Sequence, residues 1–281
     1  MRADAQLHPD LPFGQFTPKG IAAIVIALCQ HLPPAVPGAR ALNKLLRAPL
    51  KNGPVRQFDV TIKGLKLRLR TSGNHCELRQ LFEPQFYGVE EIDWLCVELA
   101  DGGCFIDIGG NIGLYSLHVG HRTGPSTRVI SVEPAPALAE RMQFNARSNG
   151  IDIELATRAL SDYSGIGTLN LAHRQSGENA LDAGNSGIPV SVTTLQQLCD
   201  ECDILSIRAM KIDIEGHEDR VLGCFFDQAP QNLWPKSIVI EHTHDETRIV
   251  HRLRHEFGYA LVARTRRNLL LRVDNLDARR T

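Results

Sequence analysis

Residues 105–116 read FIDIGGNIGLYS. Phe105, Ile106 and Ile108 form a short apolar run broken only by Asp107, as in a strand buried on both faces, and glycines follow at once. The stretch therefore reads as strand, tight turn and helix. Gly109, Gly110 and Gly113 lack a Cβ, so the backbone can turn sharply there and approach a ligand, while a helix starting near Ile112 directs its N–H groups to the same spot. Val129 to Pro134 reads as a second apolar strand ending in an acid, Glu133. That acid stands 20 positions after Gly113, the spacing at which a carboxylate meets a nucleotide ribose in a doubly wound sheet.

A dinucleotide fold asks for G-x-G-x-x-G, whereas this turn offers Asp107-x-Gly109-x-Asn111-x-Gly113. An acid two residues before the first glycine repels phosphate but pairs with the amino group of an amino-acid-like ligand. S-adenosylmethionine carries such a group together with a ribose. At this point the chain resembles the class I methyltransferases, and the wording DIGGNIGLYS is similar to the FkbM family, whose usual form is DvGaNiGlyt. Further along, the turn Ala159-Leu160-Ser161-Asp162, the segment KIDIEGHE (211–218), Gly258-Tyr259 and the asparagine-led strand Asn268 to Val273 resemble the same family. The resemblance spans about residues 80 to 273.

It implies a Rossmann-like α/β fold with a seven-stranded, mostly parallel sheet flanked by helices. It also implies a methyltransferase using S-adenosylmethionine, held by Asp107, Gly109, Gly110, Asn111, Gly113, Glu133 and Asp162. O-methylation of a hydroxyl on a sugar, polysaccharide or polyketide-type product is the leading activity. A dinucleotide-dependent oxidoreductase and a non-catalytic binding module on the same fold are the alternatives.

Ahead of this domain, residues 1–80 form a basic extension, with 12 Lys+Arg against 4 Asp+Glu; residues 81–281 carry 19 against 28. An acidic catalytic half argues against a nucleic-acid substrate, whose affinity rests on phosphate neutralisation. Ile21 to Cys29 is apolar for nine residues, short of the roughly 20 that span a bilayer. Thr17 and Pro18 suit the N-cap and first position of that helix, and Pro33 and Pro34 its end. No secretory signal is legible at the N-terminus, so a cytoplasmic chain is expected. The cations Arg40, Lys44, Arg47 and Lys51 leave peripheral membrane contact open. Phe58 to Ile62 and Leu65 to Arg70 alternate around Lys63-Gly64, a hairpin with one solvated face.

Seven scattered cysteines, with a lone C-x-x-C at Cys199 and Cys202, suggest a reducing compartment and core packing rather than a zinc site. Between the strands expected at 168–172 and 189–193, the polar segment His173 to Gly187 reads as a lid or binding loop.

Catalysis should sit where the strands end. Methyl transfer to an alcohol needs a base or a metal to take the hydroxyl proton at neutral pH. His217 and His242 stand at strand ends and can serve as bases. Asp213, closing the fourth parallel strand, and Glu241, closing the fifth, could instead hold a divalent cation. Asp213 and His217 are thus expected to act on the acceptor.

Overall fold

The computed structural model describes residues 11–33, 35–170, 180–182, 187–242 and 247–273. Helices α1 (Ile21–His31) and α2 (Ala39–Asn52) lead into a hairpin of β1 (Gln57–Ile62) and β2 (Leu65–Arg70), followed by α3 (His75–Phe82) and α4 (Val89–Glu98). The alternating part then begins with β3 (Gly103–Ile108), α5 (Leu114–Thr123), β4 (Thr127–Val132), α6 (Pro136–Asn149) and β5 (Glu154–Ala156). Next come β6 (Ala159–Leu160), β7 (Gly165–Asn170), β8 (Ala180–Asp182), β9 (Ile188–Thr193) and α7 (Leu195–Glu201). The chain ends in β10 (Ala209–Ile212), α8 (Glu218–Gln228), β11 (Ser237–Glu241), α9 (Arg248–His255), β12 (Ala260–Arg264) and β13 (Asn268–Arg272).

Among the described residues, seven strands form one sheet in the order β12-β13-β11-β10-β3-β4-β5. Strands β11, β10, β3, β4 and the edge strand β5 are parallel, and β13 pairs antiparallel with both β11 and β12. This is the expected mostly parallel sheet. Side chains alternate across β3: Ile106 and Ile108 join α7, α8 and α9 on one face, and Phe105 joins α4 and α5 on the other. Asp107 shares the Phe105 face and so lies under α5. The strand order reverses between β3 and β10, which leaves a crevice at their carboxyl ends.

A second sheet, β6-β9-β7-β8, stands beside the first. The turn Ser161-Asp162 follows β6 and therefore belongs to this second sheet rather than to the edge of the central one. Of the expected loop at 173–187, all but Ala180–Asp182 and Gly187 lies outside the described residues. Ala180–Asp182 pairs antiparallel with β7.

The hairpin departs from its sequence reading in one respect. Its turn is as expected, with Lys63 and Gly64 both left-handed (φ 48° and 84°). The polar face is solvated only near the turn, at Thr61 and Lys66, since Asp59 and Arg68 on the same face are both buried. Arg68 makes a two-pronged ion pair with Asp59 (2.7 and 2.9 Å) and donates further to the carbonyls of Leu11 and Pro12. Asp59 also accepts from the backbone N–H groups of Gly14 and Phe16. Its carboxyl stays below the usual range: burial works against the charge, but these donors outweigh it. Residues 11–16 thus close over a surface that alternation alone assigns to water. On the other side, Asn145 and Asn149 of α6 bond the backbone of Arg68 and Lys66, which satisfies the edge of β2.

Helix α1 begins at Ile21 after a Gly20 that gives no side-chain cap, so Thr17 and Pro18 do not take the N-cap and first position expected of them. Among the described residues no helix is long and apolar enough to cross a membrane.

Candidate functional site

The crevice between β3 and β10 holds a cavity of about 340 Å³. Gly109, Gly110, Asn111 and Glu133 line one wall, and Lys211, Asp213, Ile214 and Glu215 the other. His75, Cys76 and Tyr87 of the N-terminal segments, Tyr115 of α5 and Arg267 complete it. A larger cavity of about 660 Å³ opens at the opposite edge, beside Gly103 and Thr127 at the starts of β3 and β4. Ligands of doubly wound sheets bind at the carboxyl ends, and none of the expected site residues lines that larger space.

Glu133 is buried at the end of β4. Its Oε2 accepts from Asn111 N–H (2.8 Å) and its Oε1 from Ala135 N–H (2.9 Å). A carboxylate offers about four acceptor positions, so each oxygen keeps one for a further donor. Burial pushes this carboxyl up to about 7, against the pull of the two backbone N–H groups and Lys211.

Asn111 holds the glycine turn in shape. It is left-handed (φ 54°), a conformation Asn tolerates better than most residues. Its Oδ1 accepts from Ile112 N–H (2.9 Å) and from the side chain of Asn74 (2.7 Å). Asn74 caps α3 by accepting from Glu77 N–H. The segment before the central sheet is therefore tied to the turn that opens it. Asn74→Ala is expected to lower stability by about 1 kcal/mol, the usual cost of losing an N-cap. Denaturant unfolding of the variant measures it; unchanged stability would count against the capping role.

The glycines have packing duties that motif spacing does not reveal. A Cβ on Gly113 would meet Met142 Cγ at 2.5 Å, and one on Gly109 the carbonyl oxygen of Asp213 at 2.0 Å. A side chain at either position meets protein before any ligand, so the fold as well as the cavity depends on them.

Asp107 is fully buried and does not line the cavity. Its Oδ2 accepts from Ser116 N–H and Oγ–H, while Oδ1 has no hydrogen-bond partner and lies 3.7 Å from Lys211 Nζ. Lys211 stands opposite Asp107 in the β3–β10 register and reaches Asp213 at 3.5 Å. Burial disfavours the Lys211 charge, but Asp213 and Asp107 together outweigh it and hold its pKa above the ordinary lysine value. Lys211 is one of the lining residues that sequence reasoning missed, together with His75, Tyr87, Tyr115 and Arg267. A lysine inside an otherwise apolar strand, two places before its terminal acid, was the available signal.

Across the cavity, Asp213, Glu215 and Glu241 bring carboxylate oxygens within 4.8 Å of one another. Burial, and then the neighbouring Asp213 carboxylate, push Glu241 up to about 7, and Arg267 opposes this from 3.0 Å. Asp213 and Glu241, expected as cation ligands, do come together. Lys211 and Arg267 already place two positive charges against them, so this donor set suits a divalent cation less well than a bare acidic cluster would.

The two candidate histidines lie elsewhere. His217 sits at the start of α8 and is not part of the cavity wall. The His242 ring packs against Arg264 and the carbonyl of Thr265, again outside the wall. Asp162 is exposed and lines a different depression, with Asp219 and Cys224. The imidazole that does line the cavity belongs to His75.

A family model described as "Methyltransferase FkbM domain" matches residues 107–266. A 31-O-demethyl-FK506 methyltransferase from Streptomyces tacrolimicus is 27% identical, over 53% of this chain and 68% of its own. Methyltransferase 1 of Beauveria bassiana is 27% identical, over 47% of this chain and 64% of its own. Among solved structures, a Pyrococcus abyssi tRNA (uracil-54, C5)-methyltransferase bound to S-adenosyl-L-homocysteine aligns at TM-score 0.44 and 12% identity, covering 78% of this chain and 44% of that one. An Agrobacterium tumefaciens S-adenosylmethionine-dependent methyltransferase aligns at 0.43 and 10%, covering 72% and 58%. The chain thus spans between about half and two thirds of the length of these proteins.

Proposed function

We propose, from the premise that this chain belongs to the FkbM methyltransferase family, that it transfers the methyl group of S-adenosylmethionine to a hydroxyl oxygen of a sugar or polyketide-type small molecule. The observation that carries the reading is the pairing of two walls in one cavity. Glu133 and the glycine turn stand on one side, and Asp213 and Glu215 on the other, with the Glu241 carboxylate behind them and within 4.8 Å of both. The name of the Streptomyces relative, which specifies a 31-O-demethyl substrate, supports an oxygen acceptor.

The residues present fit the donor. Glu133 retains acceptor positions for both ribose hydroxyls, and the turn leaves room beside it because Gly109 and Gly110 have no side chains. S-adenosylmethionine, when bound, supplies an electrophilic methyl on a sulfonium whose leaving group is a neutral thioether. The chain's own work is then to align the acceptor and take its proton. Glu241, with its carboxyl near 7, is suited to receive that proton from the hydroxyl as the oxygen bonds to carbon. Arg267 steadies Glu241, and Asp213 holds the acceptor side of the cavity open to a polar group. Tyr87 and Tyr115, edge to face at 6.3 Å, wall the site against water.

Incubation with a labelled methyl donor and a panel of glycans, macrolides and nucleic acids tests the acceptor class; label appearing only in nucleic acid would overturn it. Glu241→Gln is expected to lower turnover about 10²-fold, the lower range for a general base. At saturating methyl donor, which removes the effect of Glu133 on donor affinity, the wild-type rate should rise with pH through about 7, because Glu241 must be ionised to accept a proton, and the rate of the variant should stay flat there. A variant that keeps the wild-type pH profile would remove Glu241 from the role.

A further inference from the structure

Helices α1 and α2 pack one side onto the hairpin and α3, burying Ile26, Cys29 and Asn43. Their outer sides are apolar. On α1, Ile21, Ile24 and Leu28 are 78%, 60% and 54% exposed, and their spacing of three and four residues puts them on one stripe. On α2, Leu45 is 72% exposed, with the exposed Leu42 three residues before it. Isolated exposed leucines are ordinary, but two stripes on adjacent helices make a patch. Among the described residues nothing covers it.

The charge around it has one sign. Residues 11–58 contain Lys19, Arg40, Lys44, Arg47, Lys51 and Arg56 and no Asp or Glu at all. Arg47 is taken up by a buried ion pair with Glu83, whereas Lys19, Arg40, Lys44 and Lys51 are exposed. Apolar side chains flanked by exposed cations form a two-part signal. The apolar part enters the headgroup boundary and the cations meet anionic lipid, and neither part alone holds a protein firmly. With α1 only 11 residues long, about 16 Å of helix at 1.5 Å per residue, the chain would lie on the bilayer rather than cross it. A second copy of this chain is a poorer occupant, because a two-fold contact through this face would set like charges against each other.

We propose that the α1–α2 face docks on an anionic lipid bilayer. The inference is independent of the methyl acceptor. The protein should sediment with vesicles of phosphatidylcholine containing about 30% phosphatidylserine and remain in solution with phosphatidylcholine alone. Binding should weaken as salt rises, since cations near the surface are screened within a Debye length of about 8–10 Å. Ile24→Glu with Leu45→Glu, and separately Lys44→Glu with Lys51→Glu, should each reduce sedimentation at least tenfold, with circular dichroism confirming the fold. No sedimentation with anionic vesicles, equal sedimentation with neutral ones, or a concentration-dependent dimer abolished by the same substitutions would overturn the proposal.

Discussion

Gly109→Val is expected to leave little folded protein. A Cβ at this position would lie 2.0 Å from the carbonyl oxygen of Asp213 and 3.0 Å from its carbon. The obstacle is main chain at the end of the neighbouring strand, held there by the bond from Asp213 N–H to the Ile108 carbonyl (3.1 Å). It cannot rotate aside as a side chain would. Residue 109 is also left-handed (φ 76°), which a β-branched residue adopts at a cost of about 1–2 kcal/mol. Overpacking adds roughly 1–3 kcal/mol even where neighbours can yield, and here a strand end must move. A loss on the order of 4 kcal/mol or more is large against the ~5–15 kcal/mol that holds a domain. Gly110→Ala supplies the control, because the atoms nearest its Cβ, Ser131 Oγ at 2.1 Å and Met142 Cε at 2.9 Å, belong to side chains that can change rotamer, not to main chain. Circular dichroism and denaturant midpoints compare the two. A Gly109→Val protein as stable as Gly110→Ala would refute the argument.

Glu133→Ala should weaken donor binding on the order of 10³-fold. Hydrogen bonds to a charged acceptor are worth about 1.5–3 kcal/mol each, and the proposed contact uses two of them, one to each ribose hydroxyl. The same substitution strips the acceptors from Asn111 N–H and Ala135 N–H, so the glycine turn loses its anchor as well. Calorimetric titration with S-adenosylhomocysteine measures the loss, and wild-type affinity in the variant would sink the assignment.

A pH dependence follows, and its sign can be worked out. Burial raises the Glu133 carboxyl to about 7 in the free protein, and only the ionised form accepts from both hydroxyls. Binding therefore favours loss of the proton, so affinity should fall as pH drops through about 7 and level off above it. Glu133→Gln should bind weakly with no such slope.

Some of this was legible from residues alone, and the reason is local. Apolar runs at Phe105, Val129 and Ser237 end at Ile108, Glu133 and Glu241, because a strand buried on both faces is mostly apolar until it ends, with the buried Asp107 inside the first as the exception. That pattern, with the glycine turn and the spacing to Glu133, determined the sheet, its parallel core and the crevice where a ligand belongs. The ends of the strands are different. Once a chain leaves a strand it has no period, so position gives no direction to a side chain. His217 and His242 follow β10 and β11 closely and nevertheless stand outside the cavity wall.

Register and long-range closure made the remaining decisions. Lys211 became a partner of Asp107 only because β10 pairs with β3 in one register. His75, Tyr87 and Arg267 joined the cavity from segments whose local sequence carries no sign of it. Likewise the alternation of the hairpin asked for one solvated face, and residues 11–16, more than 40 positions before Arg68 and Asp59, closed over it. By itself the sequence determined which segments are buried strands, where the chain must turn, and which acid lies at ribose distance from the glycines, since these follow from contacts between near neighbours. Which charges face one another across the cavity was decided only by tertiary structure, because electrostatic pairing depends on distance in space and the chain brings those groups together from far apart.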